Sequence, residues 1–208
     1  MPEMTHRERV IKALNHEEPD RVPCDLGQGP ATTINVDAYD RLVRLLGLEA
    51  EAADTEIDPY SKIVFPCEAV LQRFGIDFRG LNVPRPAEDL TEDSYRDEWG
   101  VMWRRPKGGH YIFQEGPFTE REPTLAEVEA FAWPDPAAHG RTKGLREQAL
   151  QLRQETDYAI VLKLPYGTVW DCQRVRGFGQ FLEDLVANPV LAEALLEHAL
   201  AVEIGIAE

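Results

Sequence analysis

The chain has 208 residues, 43% hydrophobic and 28% charged, the make-up of an ordinary globular protein long enough for one domain with a sizeable core. Its 37 acidic against 22 basic residues leave a formal charge of -15, which speaks against sequence-independent nucleic-acid binding, because that needs a basic face to displace phosphate counterions. The same charge disfavours docking on an anionic membrane, and no apolar run approaches the roughly 20 residues of a membrane span.

Thr5-His6-Arg7-Glu8 is a capping-box pattern that predicts a first helix, with Val10, Ile11 and Leu14 on its apolar face and an end near Glu17, ahead of Pro19. This charged opening has no signal-peptide core, which predicts a cytoplasmic protein. Arg21 to Leu26, with Val22, Cys24 and Leu26 alternating, reads as a short strand, followed by a Gly- and Thr-rich loop from Gly27 to Thr33. Asp37 to Leu46 is a second helix with Tyr39, Leu42, Val43 and Leu46 at helical spacing, closed by Gly47. Pro66 to Phe74 reads as a short helix with Gly75 past its end, and Ile76 to Val83 as a strand. Trp99 to Arg104 and His110 to Gln114 flank Pro106-Lys107-Gly108-Gly109, which predicts a β-hairpin.

Thr124-Leu125-Ala126-Glu127 is a second capping box, opening a short helix that must stop at Trp133-Pro134. Leu145, Ala149 and Leu152 mark a further helix. Tyr158 to Leu164 is a nearly continuous apolar run, suited to a parallel strand covered on both faces. Phe178, Phe181, Leu182 and Leu185 form the next helix face. Asn188-Pro189 then caps a last helix carrying Leu191, Leu195, His198 and Val202 along one side. Strands alternating with helices predict a mostly parallel sheet, with the strands near Val22, Ile76 and Ile160 side by side. The last helix is still periodic at Glu208, with no closing strand, so the chain is expected to stop before its domain is complete. Cys24, Cys67 and Cys172 form no CxxC pair and have no histidine at ligand spacing, which predicts buried free thiols and no zinc bound beyond the nonspecific level.

Five local patterns resemble the uroporphyrinogen decarboxylase superfamily in its methyltransferase-like branch. They are Met4-Thr5-His6-Arg7-Glu8-Arg9-Val10 through Pro19-Asp20-Arg21-Val22-Pro23, Phe74-Gly75-Ile76-Asp77-Phe78-Arg79-Gly80, Asp97-Glu98-Trp99-Gly100-Val101, Trp133-Pro134-Asp135-Pro136, and Arg176-Gly177-Phe178 through Asn188-Pro189. Each is weak alone; together, in order, they span nearly the whole chain. The resemblance implies an α/β fold, a (β/α)8 TIM barrel of which this chain would hold the N-terminal part, with N-terminal helices and an inserted β-hairpin. A whole barrel takes about 250 residues and gathers its chemistry in the loops after the strands. The family includes cofactor-free uroporphyrinogen decarboxylases acting on a tetrapyrrole. It also includes zinc-dependent methyltransferases that move methyl groups between corrinoid proteins and thiols such as coenzyme M.

Carried over residue by residue, the resemblance points away from decarboxylation. The decarboxylases' paired arginines after the first strand have no counterpart in Gly27-Gln28-Gly29-Pro30-Ala31. Their aspartate after the second strand is replaced by Asn82-Val83-Pro84-Arg85, and their tyrosine falls at about Gln173. The methyltransferases' His-x-Cys zinc pair lies in the family's C-terminal half and is absent here, so no cofactor is expected in this segment. The leading expectation is therefore part of a zinc- and corrinoid-linked methyltransferase, inactive by itself. A uroporphyrinogen decarboxylase is the second reading, and a non-catalytic remnant or binding module the third. The expected partners are a small-molecule or tetrapyrrole substrate and a corrinoid protein.

Candidate substrate-binding residues are Asp25 and Gln28 after the first strand, read alternatively as loop-stabilising polar contacts. Gln173 and Arg174 follow the strand ending at Leu164, with a surface ion pair as the other reading of Arg174. Asp77 is expected to be structural, His110 and His139 solvated, and His198 a packing residue. Trp99, Trp103, Tyr111 and Phe113 read either as cross-strand packing of the hairpin or as a stacking platform for a planar macrocycle.

Overall fold

The structure, a computed structural model, describes residues 3–29, 31–58, 61–107, 109–164 and 167–208; Pro30 and Gly108 lie outside them, as do the side chains of Glu56 and His139. In chain order the first elements are α1 (His6–Leu14), β1 (Ile34–Asn35), α2 (Val36–Leu46), β2 (Glu56–Asp58), β3 (Ile63–Phe65), α3 (Glu68–Arg73) and β4 (Phe78–Asn82). There follow β5 (Ala87–Thr91), β6 (Ser94–Asp97), β7 (Met102–Arg104), β8 (Ile112–Glu115), α4 (Leu125–Glu129) and α5 (Leu145–Glu155). The last are β9 (Ala159–Lys163), α6 (Thr168–Arg176), α7 (Phe178–Ala187) and α8 (Pro189–Ala207). The fold is mixed α/β, with no closed barrel among the described residues. It divides into two compact units, Met1–Asn82 with Gly144–Lys163, and Val83–Lys143 with Leu164–Glu208.

The first unit is built on a parallel pair, β4 and β9, in register from Phe78 opposite Ala159 to Asn82 opposite Lys163. Helix α5 lies against both strands. The expected third parallel strand at Arg21–Leu26 is not formed. Val22 is 77% exposed, and Pro23 has no N–H to give a ladder. The segment meets the residue before β4 instead, where Asp77 N–H donates to Cys24 O (2.9 Å) and Cys24 N–H donates to the Asp77 carboxylate (2.7 Å). Strand β9 is also less covered than its apolar run predicts, with Leu162 39% exposed. The second sheet of this unit, β1-β3-β2, is antiparallel and was not legible in sequence. Its Val64 packs with Tyr39, Val43 and Val70 in a small core. Helix α1 has both halves of its capping box, Glu8 N–H to Thr5 Oγ1 (3.2 Å) and Thr5 N–H to Glu8 Oε2 (3.0 Å).

In the second unit the expected hairpin, β7 with β8, is one half of a four-stranded antiparallel sheet ordered β5-β6-β7-β8. Its aromatics pack across the strands: Tyr95 stacks on Trp103 with centroids 6.0 Å apart, and Trp103 meets Phe113 edge-on at 6.4 Å. Trp99 belongs elsewhere. It is buried against Trp133, whose ring stacks on His198 at 5.0 Å. Helices α6, α7 and α8 pack on one another, with α4 against α8. Asn188 caps α8 with Pro189 at its first position, as the sequence predicts. Among the described residues no helix is long and apolar enough to cross a membrane. Cys172 is buried, Cys67 half-buried and Cys24 exposed, so the expectation of buried thiols fails at Cys24.

Candidate functional site

In the first unit a cleft of about 380 Å3 opens at the carboxyl ends of β4 and β9, with Gln28, Gly80, Asn82 and Lys163 in its lining. The backbone prepares it. Gly27 has φ +82°, and a Cβ there would run into the Pro66 ring, so only glycine makes this turn. The turn presents Gly27 O to the Lys163 ammonium (3.1 Å), which also lies 3.6 Å from the centroid of the Phe65 ring. Gln28 is 8% exposed; its N–H donates to Asp25 Oδ1 (3.3 Å) and its Nε2 donates to Leu26 O (3.2 Å). Gly80 leaves the space they use: a Cβ there would overlap Gln28 Oε1 and lie 3.6 Å from Lys163 Cε. Arg79 lines the same cleft, but its guanidinium is committed to both oxygens of Glu68 (2.7 and 2.8 Å), to the Ile76 and Phe78 carbonyls, and to the face of Tyr158 (3.5 Å).

Of the sequence-predicted residues in this unit, Gln28 enters the cleft. Asp25 is exposed, outside the lining, and holds the Gln28 amide, which is its loop-stabilising reading. Lys163 was missed, although one signal was present: a lysine closing an otherwise apolar strand, Ala159-Ile160-Val161-Leu162-Lys163. Gly80 carried no signal, since its role is the absence of a side chain.

The second unit holds Gln173 and Arg174 on α6. The Arg174 guanidinium lies between the indoles of Trp103 (4.8 Å) and Trp170 (4.7 Å), and its Nη1 is 3.5 Å from Asp171 Oδ1. Its Nε has no partner among the described residues, and burial pulls its pKa down against the pull of Asp171 and Asp97. The Gln173 side chain is half-buried and makes no hydrogen bond to a described residue. Asp97 accepts from Trp103 Nε1 (2.8 Å) and from the Trp99 and Val101 amides (3.0 Å each); burial still pushes its carboxyl up. Glu203 accepts from Thr168 Oγ1 (2.8 Å). Cys172 is pushed up to about 12 by burial and by Asp171 and Glu203, which leaves an inert thiol.

Asp171 sits in the first turn of α6 with its side chain 1% exposed, accepting from Gly167 N–H (2.9 Å). Burial pushes its carboxyl up to about 7, partly opposed by Arg174 and the Gly167 amide and reinforced by Glu203 and Asp97. The folded chain therefore keeps this proton after the unfolded chain has lost it at about pH 4. Stability contributed by the group is lost as pH rises from about 4 to about 7 and is level above that. The Asp171→Asn variant is expected to lack this slope and to gain on the order of 2–4 kcal/mol over the parent at pH 8, but little at pH 4. Urea denaturation at both pH values checks it; equal differences at the two would contradict the assignment.

Comparison with protein-family models gives no match, and neither does comparison with curated proteins. A solved structure does match: a methyltransferase from Methanosarcina mazei, with a TM-score of 0.50 and 16% sequence identity, over 96% of this chain and 53% of that one. The chain thus spans about half the length of that structure. At this identity the likeness establishes the fold and nothing finer.

Proposed function

We propose that this chain contributes the N-terminal strands of a (β/α)8-barrel enzyme of the uroporphyrinogen decarboxylase superfamily, in its methyltransferase-like branch, with its ligand in the cleft at the carboxyl ends of β4 and β9. The position of that cleft carries the reading. Parallel α/β sheets bind ligands outside the carboxyl ends of their strands, and barrels keep their chemistry on that face. Here that end of the parallel pair is lined by Gln28, Asn82 and Lys163. The fold likeness to a methyltransferase and the ordered sequence motifs support the branch. The arginine-free loop after Leu26 supports methyl transfer over decarboxylation of a polycarboxylate, whose recognition calls for guanidinium pairs.

The zinc of that branch finds no donor set here: among the described residues no three His, Cys, Asp or Glu side chains converge. The residues of this chain would bind and orient: Lys163 and the Gln28 amide hold a polar end of the ligand, and Gly80 keeps room for it. A corrinoid protein as methyl carrier and a thiol as acceptor belong to the same proposal.

The test is methyl transfer from methylcobalamin to coenzyme M, followed by cobalamin absorbance, in a barrel assembled from this chain and a polypeptide supplying the remaining strands and a His-x-Cys pair. Turnover that falls in the Gly80→Ala variant is expected, because the new methyl displaces Gln28 into the cleft. Carbon dioxide release from uroporphyrinogen would replace the proposal with decarboxylation, and neither activity would favour a binding module.

A further inference from the structure

We infer that the cleft at the carboxyl ends of β4 and β9 takes a ligand whose head group donates a hydrogen bond from an N–H or O–H, and that Gln28 Oε1 is the acceptor selecting it; this rests on reading the cleft as the ligand site. Gln28 lines the cleft and is 8% exposed. Its amide orientation is set, because Nε2 donates to Leu26 O (3.2 Å) and the flipped amide would place oxygen against oxygen. Its backbone is held too, with the N–H on Asp25 Oδ1 (3.3 Å). Oε1 therefore lies over Gly80, where a Cβ would be 2.2 Å away, and it accepts from no described residue. Burying an amide oxygen without a donor is unfavourable, and a donor entering the cleft relieves it.

The rest of the lining agrees with a donor-bearing ligand. Both of its cations are engaged: Arg79 by Glu68, Tyr158 and two carbonyls, and Lys163 by the Gly27 carbonyl and the Phe65 ring. Glu51 and Asp54 add exposed carboxylates, which accept and do not donate. Phe65, Pro66, Leu71 and Leu152 supply an apolar wall. A volume of about 380 Å3 is at the lower end of the roughly 300–1,000 Å3 range of small-molecule sites. The combination suits a compact molecule with an apolar body and a donor at one end, as in a primary carboxamide.

The experiment titrates the intact chain with benzamide and with methyl benzoate, which has the same ring and carbonyl but no N–H, following backbone and side-chain amide shifts by NMR. Benzamide is expected to bind about 3- to 10-fold more tightly, the worth of one neutral hydrogen bond, with shifts at Gly27, Gln28 and Gly80 and in the Gln28 Nε2 protons. Gln28→Met keeps the length of the side chain and removes the acceptor. It should erase the preference by weakening benzamide while leaving methyl benzoate unchanged. Should Gln28→Met fail to fold, the parent chain decides: at saturation benzamide must shift the Gln28 Nε2 protons more than methyl benzoate does. Equal affinities, a preference for methyl benzoate, or a preference that survives in Gln28→Met would each overturn the inference. Equal affinities with shifts still at Gln28 and Gly80 leave the cleft standing and remove only the selection by Gln28. Shifts that map elsewhere, or no binding of either probe, overturn the cleft reading as well.

Discussion

Asp77→Ala is expected to destabilise the first unit by about 3–5 kcal/mol, the cost of leaving buried charges without their partner. Asp77 is fully buried at the foot of β4. Its Oδ1 accepts from Arg9 (2.7 Å) and Arg21 Nη2 (2.9 Å) and lies 2.7 Å from His6 Nδ1; its Oδ2 accepts from Arg21 Nη1 (2.7 Å) and Cys24 N–H (2.7 Å). One carboxylate thus joins α1, the extended segment at Arg21–Cys24 and the parallel pair. Arg9 is itself 3% exposed, so the truncation strands a guanidinium that keeps, among the described residues, Asp20 and the Met4 carbonyl. Burial pushes the Asp77 carboxyl up, but Arg21, the Cys24 amide, His6 and Arg9 together outweigh it and hold it at about 2. A depressed carboxyl stabilises fully above the unfolded value near pH 4, and the stabilisation is lost as pH falls through about 2. The parent should therefore lose stability between pH 4 and 2, and the variant should show less of that slope. Urea denaturation across this range reads both effects; a loss under about 1 kcal/mol at pH 7 would mean that the cluster is dispensable.

Gly116→Ala is the second large effect. Gly116 follows β8 directly, and a Cβ there would overlap the Arg174 carbonyl oxygen and lie 2.8 Å from that of Val175. These are backbone atoms in the last turn of α6, so no rotamer change relieves them. The strand end must move away, at the expense of the Phe118 N–H to Val175 O bond (2.9 Å) and the Arg176 to Phe118 O bond (3.0 Å). A loss of about 3 kcal/mol or more is expected from overpacking combined with broken hydrogen bonds. Gly47→Ala is the comparison: its φ is +67° but nothing lies within 4 Å of the added Cβ, so only about 1 kcal/mol of backbone strain is expected. Thermal melts of the two variants side by side distinguish close approach from conformation. A milder effect at Gly116 than at Gly47 would contradict the packing of β8 on α6.

Local chemistry was legible in the sequence, and distant pairing was not. The capping boxes at Thr5 and Thr124, the Gly47 terminus of α2, the apolar β9 and the Asn188 cap all act within a few residues, and all stand in the structure. Strand β5 exposes every residue, so it has no alternation to read, and β1, β2 and β3 are too short to show one. Val22, Cys24 and Leu26 do alternate, yet the segment lies outside the sheet: it meets Asp77 through one backbone bond and through the Asp77 carboxylate, without a ladder. The Asp77 cluster reaches across 53 to 71 positions, a span that periodicity does not see. Gln28, expected after a first strand, lines the cleft although that strand is not formed. Lys163 closes a run of four apolar residues, and the pattern of that run carries no information about the charge that ends it.

Chemical-shift mapping of the backbone amides during a titration with coenzyme M tests the ligand cleft most directly. A ligand seated at the carboxyl ends of the parallel pair should shift Gly27, Gln28, Gly80, Asn82 and Lys163 together, with one saturating affinity. Shifts gathered on α6 around Asp171 and Arg174, or none at all, would contradict it.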